Sequence, residues 1–251
     1  MSAYRSYVIC TSPRSGSTLL CKLLAATGIS GKPESYFHDP SLSSWLRYYD
    51  LNSETFTDAR ASLTAVFEAA RQKGTAGTGQ FGLRLQGRSR DYFLKQLRLL
   101  HPQHSNDEAR IEAAFGRCLF IHLTRSDKLE QAISFVKAQQ TGLWHKNADG
   151  SELERLAPPA RPVFDQGRIE QTKTELENLE DAWRGWFARE GIAPFTITYD
   201  QLSSDPRGVL SDVLSALGHD PTVAQNVPVP TAKLSDATNR QWAQRFLSGT
   251  A

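Results

Sequence analysis

Tyr7-Val8-Ile9-Cys10-Thr11-Ser12-Pro13-Arg14-Ser15-Gly16-Ser17-Thr18-Leu19-Leu20 decides how this chain is read. A short apolar run rich in β-branched residues predicts a buried strand. The run breaks into Ser-Pro-Arg-Ser-Gly. Leu19, Leu20, Leu23 and Leu24 then recur at helical spacing, predicting a helix over residues 17–27 that Gly28 stops. Strand, tight polar loop and helix form the layout of a phosphate-binding loop, where backbone N–H groups and the helix dipole face an anion. The nucleotide-hydrolase pattern G-x-x-x-x-G-K-[ST] fails at two positions, since Thr11 replaces its first Gly and Ser17 its Lys. Arg14 is the loop's cation. The anion cradle is present without the ATPase wiring.

Working outward, 251 residues can bury one substantial core, and the chain is expected to be one domain. A net charge of +2 gives no global field toward nucleic acid or anionic membrane, so phosphate recognition must be local. No apolar run approaches a membrane span and Met-Ser-Ala-Tyr-Arg is no signal region, so cytoplasmic residence is the expectation. Cys10, Cys21 and Cys118 lack metal spacing and read as buried apolar groups. The six histidines show no ligand spacing either, and no metal site is expected.

Residues 29–40 form a loop with two prolines that gathers Glu34, Ser35, Tyr36, Phe37 and His38. Such a loop can wall a substrate site, or its aromatics can simply pin it to the core. A short aromatic helix is expected over 43–49, and a longer one over 57–73 that ends at Gly74 before a flexible Gly-rich connection. A strand over 81–86 leads to a helix over 90–100 capped by Ser89, and another helix covers 106–115. The opening layout then recurs. Residues 117–125 read as a buried strand ending in Arg125, followed by a helix over 128–140 that carries Ser134. Two strands that each deliver an Arg suggest one crevice at the carboxyl ends of an open α/β sheet. Residues 143–167 have no steady period and read as a mobile excursion. A helix over 168–190 carries a stripe of Leu176, Leu179, Trp183, Trp186 and Phe187, which serves as core or as a homodimer face. A strand over 195–199, a helix opened by Asp205-Pro206, and a last helix over 240–247 capped by Ser235 complete the chain.

Thr11-Ser-Pro-Arg-Ser-Gly-Ser-Thr-Leu-Leu, Gly31-Lys-Pro-Glu-Ser-Tyr-Phe and Arg125-x-Asp127-x-x-x-Gln131-Ala-x-Ser134-Phe, in that order, resemble the bacterial trehalose sulfotransferase-like family. Trp183-x-x-Trp186-Phe and Ile197-Thr-Tyr199-Asp-x-Leu202 extend the likeness over nearly the whole chain. The resemblance implies a P-loop-like three-layer α/β sandwich with a central, mostly parallel sheet. It implies 3′-phosphoadenosine 5′-phosphosulfate as sulfuryl donor, without metal. Arg14, Ser15, Gly16, Ser17 and Thr18 match the 5′-phosphosulfate loop, and Arg125 with Ser134 matches the pair that holds the 3′-phosphate.

The acceptor side departs from the family. The trehalose-specific relative has its proposed general base directly before the aromatic pair, where this chain has Ser35, with Glu34 one residue earlier. Lys32 replaces an acidic sugar contact, and Arg84 stands where the family often has Lys. The expected acceptor wall is therefore Lys32, Glu34, Tyr36, Phe37, His38 and Arg84. Glu34 is the expected base, with His38 second and Arg14 holding the leaving phosphate oxygens. The leading expectation is sulfuryl transfer to a hydroxyl of a carbohydrate or another small-molecule or lipid acceptor. The alternatives are a degenerate relative that senses 3′,5′-bisphosphate and, last, a P-loop kinase.

Overall fold

Tyr7, Val8, Ile9 and Cys10 are fully buried, because their strand lies at the middle of a parallel sheet with both faces covered. The computed structural model describes residues 4–147, 149–230 and 236–249. In it β1 (Ser6–Thr11) pairs in parallel with β2 (Phe81–Gln86) on one side and β3 (Cys118–Thr124) on the other. A last strand, Phe195–Thr198, pairs in parallel with β3 and completes a four-stranded sheet. Its order is β2, β1, β3, then this last strand.

Alternate residues of β1 feed two cores, since successive side chains point to opposite faces. Tyr7 and Ile9 pack with Leu20, Leu23 and Leu24 of α1 (Ser17–Ala26) and with Leu210, Val213 and Leu214 of the helix Pro206–Leu217. Val8 and Cys10 face an aromatic core of Phe37, Trp45, Phe67, Phe93, Trp183 and Trp186. Helix, sheet and helix make three layers, as expected for the P-loop-like class. The cysteines are free and buried, and burial pushes the Cys21 thiol up to about 11.

On the aromatic side, α2 (Leu42–Tyr48) is followed by α3 (Ala59–Thr75), which starts and ends two residues later than its sequence suggests. Gly74 does not end α3. It lies inside the last turn, where the ring of Phe81 would sit 2.4 Å from any Cβ. α4 (Gly87–Leu100) also starts earlier than expected, directly from β2. Ser89 is not its cap, and its hydroxyl donates to the His38 carbonyl oxygen. α5 (Asp107–Phe115) and α6 (Lys128–Thr141) begin on side-chain caps from Asn106 and Asp127.

Within the segment read as an excursion, β4 (Leu143–Lys146) and β5 (Glu152–Arg155) form an antiparallel hairpin. Its register shifts twice, so no alternating pattern marks it in the sequence. α7 (Gln166–Glu190) follows, and its Trp183 and Trp186 are buried, which assigns the aromatic stripe to core. The strand Phe195–Thr198, now β6, runs into a short helix, α8 (Tyr199–Ser204). The helix Pro206–Leu217 is α9, and α10 (Ala237–Ser248) is capped by Asp236. The expected cap, Ser235, lies outside the described residues.

Candidate active site

The β1–α1 loop turns by placing Arg14 (φ 64°) and Gly16 (φ 87°) in the left-handed region. For Arg14 that conformation is strained, and its neighbours hold it. Gln131 on α6 donates to Ser12 Oγ at 2.9 Å and to the Pro13 carbonyl at 2.6 Å. The Thr11 hydroxyl donates to the Leu123 carbonyl of β3 at 2.8 Å and meets buried Ser15. A Cβ at residue 16 would lie 2.8 Å from the Tyr199 ring, so the close approach and the positive φ both require glycine. Gly16 is the N-cap of α1 and no side chain caps the helix. Ser17 and Thr18 therefore open an uncapped helix N-terminus, which favours an anion.

The structure brings Arg14, Arg125 and Ser134 together, as the echo of two strands suggests. Arg14 Nε donates to Ser134 Oγ at 3.0 Å and its Nη1 to the Trp144 carbonyl of β4 at 2.6 Å. Arg125 Nη1 donates to the Arg14 carbonyl at 3.4 Å, and its guanidinium stacks 4.4 Å over the Tyr199 ring. Glu130 stands 3.7 Å from Arg125. Burial and then the nearby Arg125 charge hold Arg14 down at about 10. A half-buried and a buried guanidinium group beside a helix N-terminus concentrate positive charge, an arrangement that favours an anion. Next to Arg14 and Ser134 opens a cavity of about 210 Å³, with Lys137, Lys146, Arg155 and Asn239 in its lining.

A second network steadies the end of β3. Glu180 of α7 is buried and accepts from Thr124 Oγ1 at 2.7 Å and from Lys128 at 3.4 Å. Trp183, one turn on, donates to the Thr11 carbonyl at 3.0 Å. α7 thus clamps the carboxyl ends of both strands that lead into the site.

On the other flank, Glu34 bridges to Leu83, and its carbonyl accepts from Arg84 N at 3.0 Å. Its carboxylate is half-exposed and paired with Lys32 at 3.0 Å. Arg84 Nε donates to Ser35 Oγ at 2.8 Å and its Nη1 to Thr18 Oγ1 at 2.9 Å. Tyr36 and Phe37 are not wall residues. Both are about 1% exposed, Phe37 among Trp45, Phe67 and Phe93, and Tyr36 with its hydroxyl on the Lys32 carbonyl. Apolar surface in the aromatic core outcompetes a place beside solvent. His38 is exposed, with its ring edge against Tyr48.

Sequence reasoning missed His145. Its Nε2 lies 3.0 Å from Thr18 Oγ1 and 3.4 Å from a Glu154 carboxylate oxygen. No spacing signal points to it, because a bulged hairpin carries it. Tyr199 was visible as a strand end and as part of the Ile197–Leu202 motif, without a role, yet it packs under Gly16 and Arg125.

This chain belongs to the Stf0 sulphotransferase family, whose sequence model matches residues 6–248. Among curated proteins it is 30% identical, over 97% of this chain and 95% of the relative, to a trehalose 2-sulfotransferase of Mycobacterium tuberculosis. It is 29% identical, over 96% and 94%, to one of Mycolicibacterium smegmatis. Among solved structures it is similar to the sulfotransferase domain of the Synechococcus PCC 7002 olefin synthase. The TM-score there is 0.43 at 16% identity, covering 96% of this chain and 94% of that one. A sulfotransferase from Alicyclobacillus acidocaldarius gives a TM-score of 0.44 at 14% identity, over 97% and 91%. The chain is a sulfotransferase. Among the described residues no helix is long and apolar enough to cross a membrane.

Proposed function

We propose that this sulfotransferase takes its sulfuryl group from 3′-phosphoadenosine 5′-phosphosulfate and passes it to a hydroxyl of a carbohydrate. The observation that carries the donor assignment is the pairing of half-buried Arg14 with buried Arg125 at the uncapped start of α1. The residues present fit the donor. Residues 15–18 would meet the phosphosulfate through backbone amides and hydroxyls, and Arg125 with Ser134 would hold the 3′-phosphate. When bound, the donor supplies an activated sulfuryl group on a phosphate leaving group.

The chain's own work is positioning and charge stabilisation. Arg14, part of the loop itself, would neutralise charge as it builds on the leaving oxygen. Arg84, tied to Thr18 and Ser35, forms the boundary between donor and acceptor. The acceptor class rests on the two trehalose 2-sulfotransferases. Trehalose itself is left open by Lys32 and Ser35, which change the acceptor wall.

The test offers the protein the 3′-phosphoadenosine donor with a panel of mono- and disaccharides that includes trehalose, and reads sulfated products by mass spectrometry. Transfer to at least one sugar is the expected result. Tight 3′,5′-bisphosphate binding without transfer to any member would overturn the reading in favour of a sensor.

A further inference from the structure

We propose that His145, on the β4–β5 hairpin, takes the proton of the acceptor hydroxyl on its Nε2, and that Glu154 stabilises the imidazolium that forms. This rests on the sulfuryl-transfer reading above and names a base that the sequence motifs place elsewhere.

The hydrogen bonds place the ring at the start of α1. An arginine only donates, so Thr18 Oγ1 must accept from Arg84 Nη1 at 2.9 Å. The threonine hydroxyl, with its own hydrogen and a second lone pair, meets His145 Nε2 at 3.0 Å. In the proposed tautomer Thr18 donates, Nε2 carries the lone pair and the ring's proton sits on Nδ1. Thr18 is part of the first turn of α1, so the basic nitrogen faces the anion loop itself.

The charges around the ring keep it neutral while the site is empty. Arg14 from the loop, Lys22 from α1 and Arg84 from β2 surround it, and Glu154 from β5 is the facing carboxylate. Burial first, then these three cations, hold His145 down at about 3, so the ring is neutral across the physiological range. An anionic donor beside Arg14 offsets part of that cationic field and strengthens the base as the site fills. Glu34 lacks such a setting, being half-exposed and paired with Lys32.

In the step itself, the acceptor oxygen forms a bond to sulfur while the bond from sulfur to the bridging phosphate oxygen breaks. That electron pair leaves on the 3′,5′-bisphosphate. The acceptor's proton moves to Nε2, where the Glu154 carboxylate, 3.4 Å away, meets the new charge.

His145→Gln, Glu154→Gln and Glu34→Gln are compared with wild type by 3′,5′-bisphosphate release with trehalose, maltose and glucose as acceptors. His145→Gln is expected to lower kcat about 100-fold or more with donor KM within a few-fold, and Glu154→Gln about 10-fold. Glu34→Gln should lower kcat far less than His145→Gln does. A His145→Gln variant within threefold of wild type, or a loss confined to Glu34→Gln, overturns the proposal. Should the wild type turn over none of these sugars, the fault lies in the acceptor class, and ¹⁵N NMR of the histidine rings judges His145 without any acceptor. An unprotonated Nε2 at pH 7 that responds to Arg84→Gln is expected. A protonated Nε2 overturns the assignment.

Discussion

Arg14 and Arg125 adjoin the same loop but are proposed to do different work, and their substitutions should separate. The Arg14 side chain bonds Ser134 and the Trp144 carbonyl, and its backbone belongs to the loop that opens α1, where the leaving oxygen would lie. Arg125 stacks on Tyr199 and pairs with Glu130, and is proposed to hold the 3′-phosphate. Arg14→Ala should therefore lower kcat about 100-fold, the scale of one removed charge-stabilising donor, with a smaller change in donor KM. Arg125→Ala should chiefly raise donor KM. Steady-state kinetics for both variants checks this, and equal losses confined to KM would merge the two roles. At this scale Arg14, Ser134 and Arg125 were legible because a strand–Arg–helix layout occurs twice. Tyr36 and Phe37 were misread, since a loop aromatic looks the same in sequence whether it lines a pocket or anchors the loop. His145 was hidden, since one histidine in an aperiodic segment carries no spacing to read.

Among the elements, α3 positions the loop that bears Lys32, Glu34 and Ser35, because the Gly74 carbonyl accepts from Lys32 N at 2.8 Å. Two effects compete at Gly74. Alanine there would gain about 1 kcal/mol of helix propensity. Its Cβ would also strike the Phe81 ring at 2.4 Å and the Gly82 carbonyl at 2.9 Å. That ring stacks 4.3 Å from Phe115 and is about 1% exposed, so it has nowhere to go. Overpacking typically costs about 1–3 kcal/mol, so a net loss is expected for Gly74→Ala. A lower urea midpoint with an unchanged slope would register it; a rise would show that the sheet yields. The same residue shows why the end of α3 was misplaced. Glycine usually stops a helix, and only the packing of Phe81 reveals one kept for closeness. Strands β1 and β3 were readable from buried apolar runs and β2 from a weak alternation, whereas the β4–β5 hairpin was not, its two register shifts erasing alternation.

For the molecule as a whole, a site built at the carboxyl ends of β1 and β3 links ligand binding to the stability of the entire sheet. At about a hundred times its dissociation constant, 3′,5′-bisphosphate should stabilise the fold by ~2.7 kcal/mol. ADP lacks the group that Arg125 and Ser134 are proposed to hold and should do markedly less. Thermal denaturation with each nucleotide decides this, and equal shifts would remove the 3′-phosphate role from Arg125. The parallel topology has another consequence, for the chain as it is made. β1 is the central strand and precedes both of its partners, its residue Thr11 pairing with Gln86 on one side and Leu123 on the other. At translation speeds of about 5–20 residues per second, β1 waits on the order of ten seconds for its second neighbour. Until residue 86 emerges Tyr7 to Cys10 hold two open hydrogen-bonding edges, and one stays open until β3 follows, with apolar faces uncovered in a nascent chain. The strand that carries the anion loop is thus the one most exposed to wrong pairing during synthesis, and efficient folding depends on keeping it solvated or chaperoned until residue 124 emerges.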